Sequence, residues 1–235
     1  MNATGTWLSA LSWSAATIGL YLASKAVHRR VRVWWTAPLP LAPLVLLGFA
    51  ALMGERYADY IRGTHWLVAM LAPTTVAFAV PIYRQRALIL RQWRVVTLGV
   101  VVGSLTSFVS SWFLAKGLGL GDHLRLSLLP RSMSTPFAMI VSADIGGAPD
   151  LTAIFVLITG VLGATIGELL LEWLPLHTKL ARGALFGMGA HGVGTAKAFQ
   201  IDSEVGSVAG FVMIFVGLLN VLAAPLFAPL LARLG

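Results

Sequence analysis

The 235-residue chain is 57% hydrophobic and 11% charged, with a net charge of +8 and no cysteine. A soluble domain carries about 25% charged residues, so together with a mean hydropathy of +0.83 this composition places the chain in the membrane class. The basic residues cluster in short loops between apolar runs, which makes nucleic acid a poor explanation of the charge; the missing cysteines exclude disulfides, thiol catalysis and Cys-ligated metals.

About 20 apolar residues cross a bilayer. That rule predicts eight segments in chain order, at about 7–27, 38–54, 65–83, 93–116, 124–145, 151–174, 182–199 and 205–232, in one membrane domain covering 1–235. The opening stretch MNATGTWLSALSWSA lacks a basic region, so no cleaved signal peptide is expected. The first loop holds Lys25, Arg29, Arg30 and Arg32, and the third holds Arg84, Arg86, Arg91 and Arg94. The positive-inside bias puts both in the cytoplasm and the N-terminus outside. If 124–145 folds back as a hairpin, everything after it inverts. Most of the tryptophans, Trp93 and Trp173 among them, fall near predicted span ends as an aromatic belt.

Three segments carry helix breakers beside polar residues. The first is LAPTTVAFAVPIYRQR, with Pro73, Thr74, Thr75 and Pro81. The second is LLPRSMSTPFAMIVSADIGG, where Pro130 and Pro136 bracket Arg131, Ser132, Ser134 and Thr135. The third is GALFGMGAHGVGTAKAF, where glycines including Gly192 and Gly194 surround His191 and Thr195. Proline removes a backbone donor and glycine admits unusual backbone conformations. In hydrocarbon the freed groups must be satisfied by protein or by a water-filled cavity, so three breaks point to an internal polar site. The competing reading is close packing, because small and hydroxyl residues also serve helix contacts.

Ionisable residues within apolar runs narrow the candidates. Arg131 should face the interior, where its planar fork could hold a carboxylate, or else pair with Asp144. His191 could carry a proton or contact an anion; Asp144 is a second candidate for proton coupling. Lys197 reads as an interfacial anchor and Asp150 as the start of a helix. No HExxH, GxSxG or Walker pattern occurs, so neither an enzyme nor a metal or other cofactor is expected.

The motifs PTTVAFAVPIYRQ, SLLPRSMSTPFAM, IGGAPDLTAIFVLITGVLGA and AHGVGTAKAF, in that order, resemble the LrgB/CidB family, which includes the plant plastidial glycolate/glycerate translocator. The likeness runs from about residue 15 to residue 230. Arg131 stands where the family commonly has Lys, and Ala143-Asp144 displaces an acidic position by one residue. The resemblance implies two descriptions. One is a secondary transporter of small carboxylates such as pyruvate or glycolate, ion- or proton-coupled and in the bacterial inner membrane. The other is an antiholin-like regulator of murein hydrolase activity and lysis, acting with a small LrgA/CidA-type partner. The expectation from both residues and resemblance is an all-α polytopic protein with discontinuous helices and a transporter-like architecture. It is compatible with an inverted repeat and a homodimer. Thr74, Thr75, Arg131, Ser132, Ser134, Thr135, His191, Gly192, Gly194 and Thr195 would line the substrate site.

Overall fold

The computed structural model describes residues 3–31, 33, 36–70, 73, 76–77, 79–84 and 86–231. They are helical throughout apart from short connections, and the chain divides into two compact units, Met1–Pro73 and Thr74–Gly235.

The first unit holds α1 (Ala3–Arg30), α2 (Pro38–Met53) and α3 (Tyr57–Ala69). Proline in its first turn suits α2, since those N–H groups have no helical partner. Gly54, at φ 66°, ends it in the left-handed conformation that glycine adopts without strain. α1 is pinned to α3 by polar contacts: Ser14 Oγ donates to the Gly63 carbonyl (3.0 Å) and accepts from Trp66 Nε1 (2.8 Å). Trp13 packs edge-on against Phe49 and Tyr60.

Among the described residues the second unit includes the helical stretches α4 (Ala79–Arg84) and α5 (Arg86–Arg91). The expected span 65–83 is therefore not one helix: its first residues end α3 and its last begin α4. Then come α6 (Trp93–Gly117), α7 (Asp122–Leu128), a 3-10 turn (Leu129–Ser132), α8 (Thr135–Asp144), α9 (Pro149–Trp173), α10 (Lys179–Ile201) and α11 (Ser203–Leu231). Among the described residues, α6, α9 and α11 are the helices long and apolar enough to cross a membrane. Length and apolarity thus give three spans where the sequence led us to expect eight.

Two of the expected spans fold back on themselves. In 124–145, the Ala148 N–H donates to Ser127 Oγ at 2.7 Å. Thr152 Oγ1 lies 2.9 Å from the Ser127 carbonyl oxygen and 2.7 Å from Ser142 Oγ. The chain leaves Ser127, turns through the extended residues Met133 and Ser134, and returns along α8 to its starting level. In 182–199 the reversal is sharper. A straight helix of 23 residues would be about 34 Å long. Instead, Lys179 Nζ lies 3.2 Å from Asp202 Oδ2 and 2.7 Å from Glu204 Oε2, across both ends of α10. The reversal occurs at His191, whose φ of 38° and ψ of −119° are not helical. A Cβ on Gly194 would collide with the Phe186 carbonyl oxygen, so the two arms touch at backbone distance.

The hairpins flank α9 from opposite ends. The base of the first hairpin is bonded to the start of α9 through Thr152. The second is bonded near the other end, where Lys197 Nζ lies 2.5 Å from Glu168 Oε1. With 25 residues, α9 separates the two bases by most of about 37 Å. Both tips therefore meet at mid-length. His191 packs on Gly160 of α9, Met188 on Gly103 of α6 and Phe137 on Gly217 of α11, each near the middle of its long helix. The core of this unit, including Met133, Ala138, Val141, Val212 and Val216, surrounds the meeting point.

Candidate functional site

The first tip is built by its prolines. Pro130 has no N–H to continue α7, and it sits at φ −82°, ψ 15° in the tight 3-10 turn. Met133 and Ser134 then extend at ψ 166° and 147°, and Pro136 in the first turn starts α8. Ser134 occupies the N-cap position, yet its hydroxyl makes no cap bond. Ser134 is 8% exposed, and its Oγ has no hydrogen-bond partner. An unsatisfied buried hydroxyl costs about 1–3 kcal/mol.

Neighbouring polar groups on the same tip are anchored sideways to α6. Ser107 Oγ donates to Ser132 Oγ at 2.6 Å, and Arg131 Nε donates to Ser111 Oγ at 2.9 Å. One turn toward the α6 N-terminus, Ser104 Oγ accepts from Asn220 Nδ2 of α11 at 2.9 Å. Spacings of three and four put Ser104, Ser107 and Ser111 on one face of α6, forming a polar seam beside the tip. A small void is lined by Ser104, Ser107, Ser132, Met133, Met188 and Asn220.

The second tip turns on His191, the one non-glycine residue at positive φ among the described residues. Its angles approach the second position of a type II′ turn, roughly +60° and −120°, which glycine dominates. A side chain held there costs about 1–3 kcal/mol. His191 is 3% exposed, and its Nε2 has no hydrogen-bond partner. Thr195, one turn on, is buried with its hydroxyl 3.8 Å from Met213 Sδ.

The structure thus brings Arg131, Ser132, Ser134, Thr135, His191, Gly192, Gly194 and Thr195 to the two tips. Thr74 and Thr75 lie outside the described residues. Asp144 is exposed at the far end of α8, ten residues from the tip, and makes no ion pair with Arg131. The alternative that Arg131 pairs with Asp144 gives way to the Ser111 contact because α8 points Asp144 back toward the hairpin base. Sequence reasoning passed over Ser104, Ser107, Ser111 and Asn220. Asn220 could have been found, since a lone amide within VMIFVGLLNVLAAP is a polar residue in a span. Among the described residues no cluster of His, Asp or Glu suits a metal ion. A cavity of about 350 Å³ between α6 and α11 is lined mainly by apolar groups, Phe108, Trp112, Phe113 and Phe227 among them, with Ser104 and Asn220 also on its wall.

Comparison with known proteins follows the same stretch of chain. A family described as LrgB-like matches residues 17–230. A protein named YwbG from Bacillus subtilis (strain 168) is 40% identical over 89% of this chain and 93% of its own length. From the same organism, a protein named antiholin-like protein LrgB is 30% identical over 83% of this chain and 84% of its own length. A protein named holin-like protein CidB from Staphylococcus aureus (strain N315) is 27% identical over 93% of this chain and 96% of its own length. No solved structure matches the chain.

Proposed function

The chain belongs to the LrgB-like family, and we propose that it is a secondary transporter of small carboxylates of the pyruvate and glycolate type. The observation that carries this reading is the meeting of two hairpin tips, from opposite ends of α9, halfway along the long helices. If α6, α9 and α11 cross the bilayer, the hairpins are re-entrant from opposite faces and their tips share the midplane. Carriers with inverted repeats place their sites in such a position, at discontinuous helices whose N-termini face an anion. Irregular backbone at that depth is tolerated where it lines a cavity.

In this reading the cytoplasmic bases are those of α6 and of the second hairpin, where Arg94, Lys179 and Arg182 lie. The N-terminus of α8 and the Ser134 hydroxyl meet the carboxylate, with Arg131 supplying positive charge from beside them. Ser132, Thr135, Gly192, Gly194 and Thr195 shape the cavity. The protein works in the bacterial inner membrane as a homodimer, with ion or proton coupling.

The names of the relatives favour a second reading. Two of them are called antiholin-like and holin-like, which fits a membrane regulator of murein hydrolase activity that acts with a small LrgA/CidA-type partner. Hairpins with unpaired polar tips are not needed for that role, whereas a solute site needs them. Uptake of labelled glycolate and pyruvate into proteoliposomes separates the two. Uptake by the pure protein, abolished in a folded Arg131→Ala variant, supports transport. Absence of both uptake and binding, with and without the small partner, leaves the regulatory reading.

A further inference from the structure

The cavity between α6 and α11 takes no part in the site at the hairpin tips. On α6 its wall runs from Val101 through Leu105 and Phe108 to Trp112, in steps of three and four that keep these residues on one face. Opposite them, Phe227 of α11 stacks on Phe108 with ring centroids 6.2 Å apart. From Val101 to Phe113 a helix rises about 18 Å. The volume of about 350 Å³, spread over that length, averages about 20 Å² in section. That is the width of one extended hydrocarbon chain and far short of a helix about 10 Å thick. Leu105, Val109 and Phe113 line this slot and are themselves exposed, so it opens outward along a helix long and apolar enough to cross a membrane.

One end of the slot is cationic. Lys116 follows Trp112 by four residues, on the same face of α6 and in its last turn. It is exposed and makes no ion pair with a described residue. The Arg125 guanidinium lies over the Trp112 ring, 4.5 Å from its centroid. It pairs with Asp122, and its buried Nε has no partner, so its donors are only partly used by the protein. Tryptophan and lysine at the end of an apolar helix belong at the headgroup level of a bilayer, where the lysine stem can reach a phosphate. Further along the slot the polar wall is neutral: Asn220 Nδ2 donates to Ser104 Oγ, and no charge waits there.

We propose that this slot binds one anionic phospholipid, with an acyl chain between α6 and α11 and the headgroup phosphate on the Lys116 ammonium beside Arg125. An apolar passage one chain wide with an unpaired cation at its end matches that molecule in both shape and charge. A helix from a second copy or from a partner is too thick for it. Ser104, Phe108, Leu129 and Asn220 also line the small void beside the first tip, so the chain lies against the wall that backs Ser132 and Met133. The site is separate from the solute site and stands whether the protein carries carboxylates or regulates a hydrolase.

The test is native mass spectrometry of the full-length protein in detergent, titrated with phosphatidylglycerol and with phosphatidylcholine of the same acyl chains. The first equivalent of phosphatidylglycerol should bind about fivefold more tightly, the effect of one lysine at a lipid surface. Lys116→Gln, at an exposed position, should fold and bring the two affinities together. Ala223→Phe, which fills the slot from α11, should weaken the first equivalent of both lipids; if that variant does not fold, the lysine comparison decides. Equal affinities in the unaltered protein, a preference that survives Lys116→Gln, or unchanged binding by folded Ala223→Phe overturns the proposal. So does a dimer that takes up no lipid and dissociates in Ala223→Phe, which would make this face a contact between copies.

Discussion

The first hairpin reverses through two extended residues, Met133 and Ser134, whereas the second reverses on His191 alone. The wide turn is made by proline, which withdraws backbone donors and leaves the N-terminus of α8 open. The tight turn is made by one strained residue and by glycines that let its arms touch. Their bases differ as well. Ser127, Ser142 and Thr152, all fully buried, tie the first hairpin to α9. Ion pairs of Lys179 with Asp202 and Glu204, exposed to solvent, clip the second. The same reversal is thus held by buried neutral hydroxyls in one case and by backbone contact plus surface charge in the other. That contrast predicts a firmly anchored first hairpin and a second whose base opens more readily.

The broadest test of the contrast is all-or-none. Single cysteines placed at Gly121 and Pro149 should react with an impermeant reagent from one side of the membrane. Cysteines at Thr178 and Asp202 should react only from the other. Labelling of Gly121 and Pro149 from different sides would falsify the hairpin as a membrane feature. Next in size is Gly194→Leu. Its side chain meets the Phe186 carbonyl, and backbone cannot move aside as a side chain can. The expected loss is about 3 kcal/mol or more, read as a failure to recover monodisperse protein. Thr152→Val should weaken the first base by about 1–3 kcal/mol, since Ser142 and the Ser127 carbonyl lose their buried partner. Thermal unfolding checks this, and a change within error would show that the hydroxyl network is dispensable.

The smallest effect concerns pH. The backbone N–H groups of Val205 and Glu204, and then Lys179, hold the Asp202 carboxyl below its ordinary range. The hydrogen bond to Glu204, and then that to Asp202, raises the Lys179 ammonium above its own. The Asp202 contribution is complete above the ordinary carboxylate range and is lost as pH falls through the lowered value. The Lys179 contribution is complete below the ordinary ammonium range and is lost as pH rises through the raised one. The second base is therefore clipped between roughly pH 4 and 10 and loosens outside that window. The first base is tied to α9 by the neutral groups of Ser127, Ser142 and Thr152, with the Arg125–Asp122 ion pair beside it, and should respond less. Hydrogen-exchange protection of residues 179–183 compared with 123–127 reads the difference; equal responses would remove it.

Much of the site was legible. Pro130 and Pro136 around hydroxyls, and His191 among glycines, marked both tips as breaks because helix-breaking residues act locally. Their number of crossings was not legible. A run such as 182–199 has the same apolar content whether it continues or doubles back. The turn depends on one residue's φ, which histidine does not announce. The sequence left open whether 124–145 folds back, and the structure shows it as a hairpin whose base lies at the start of α9. Ser104, Ser107 and Ser111 were overlooked because hydroxyls within a span ordinarily satisfy their own backbone. Only the approach of Ser132, Arg131 and Asn220 gives these three a further role.

The sequence by itself determined the membrane class, the helical content, the positions of the breaks and the identity of the polar residues gathered there. These follow from composition and from nearest-neighbour backbone chemistry, which need no distant partner. The tertiary structure alone decided that the breaks are reversals and that their tips face one another. It also decided that Arg131 turns aside to Ser111 while Ser134 and His191 keep unpaired atoms. Those outcomes rest on contacts between residues far apart in the chain, Lys179 with Glu204, Ser127 with Thr152 and Ser104 with Asn220. Such contacts leave no local mark, because the apolar pattern of a helix is the same whichever neighbour it meets.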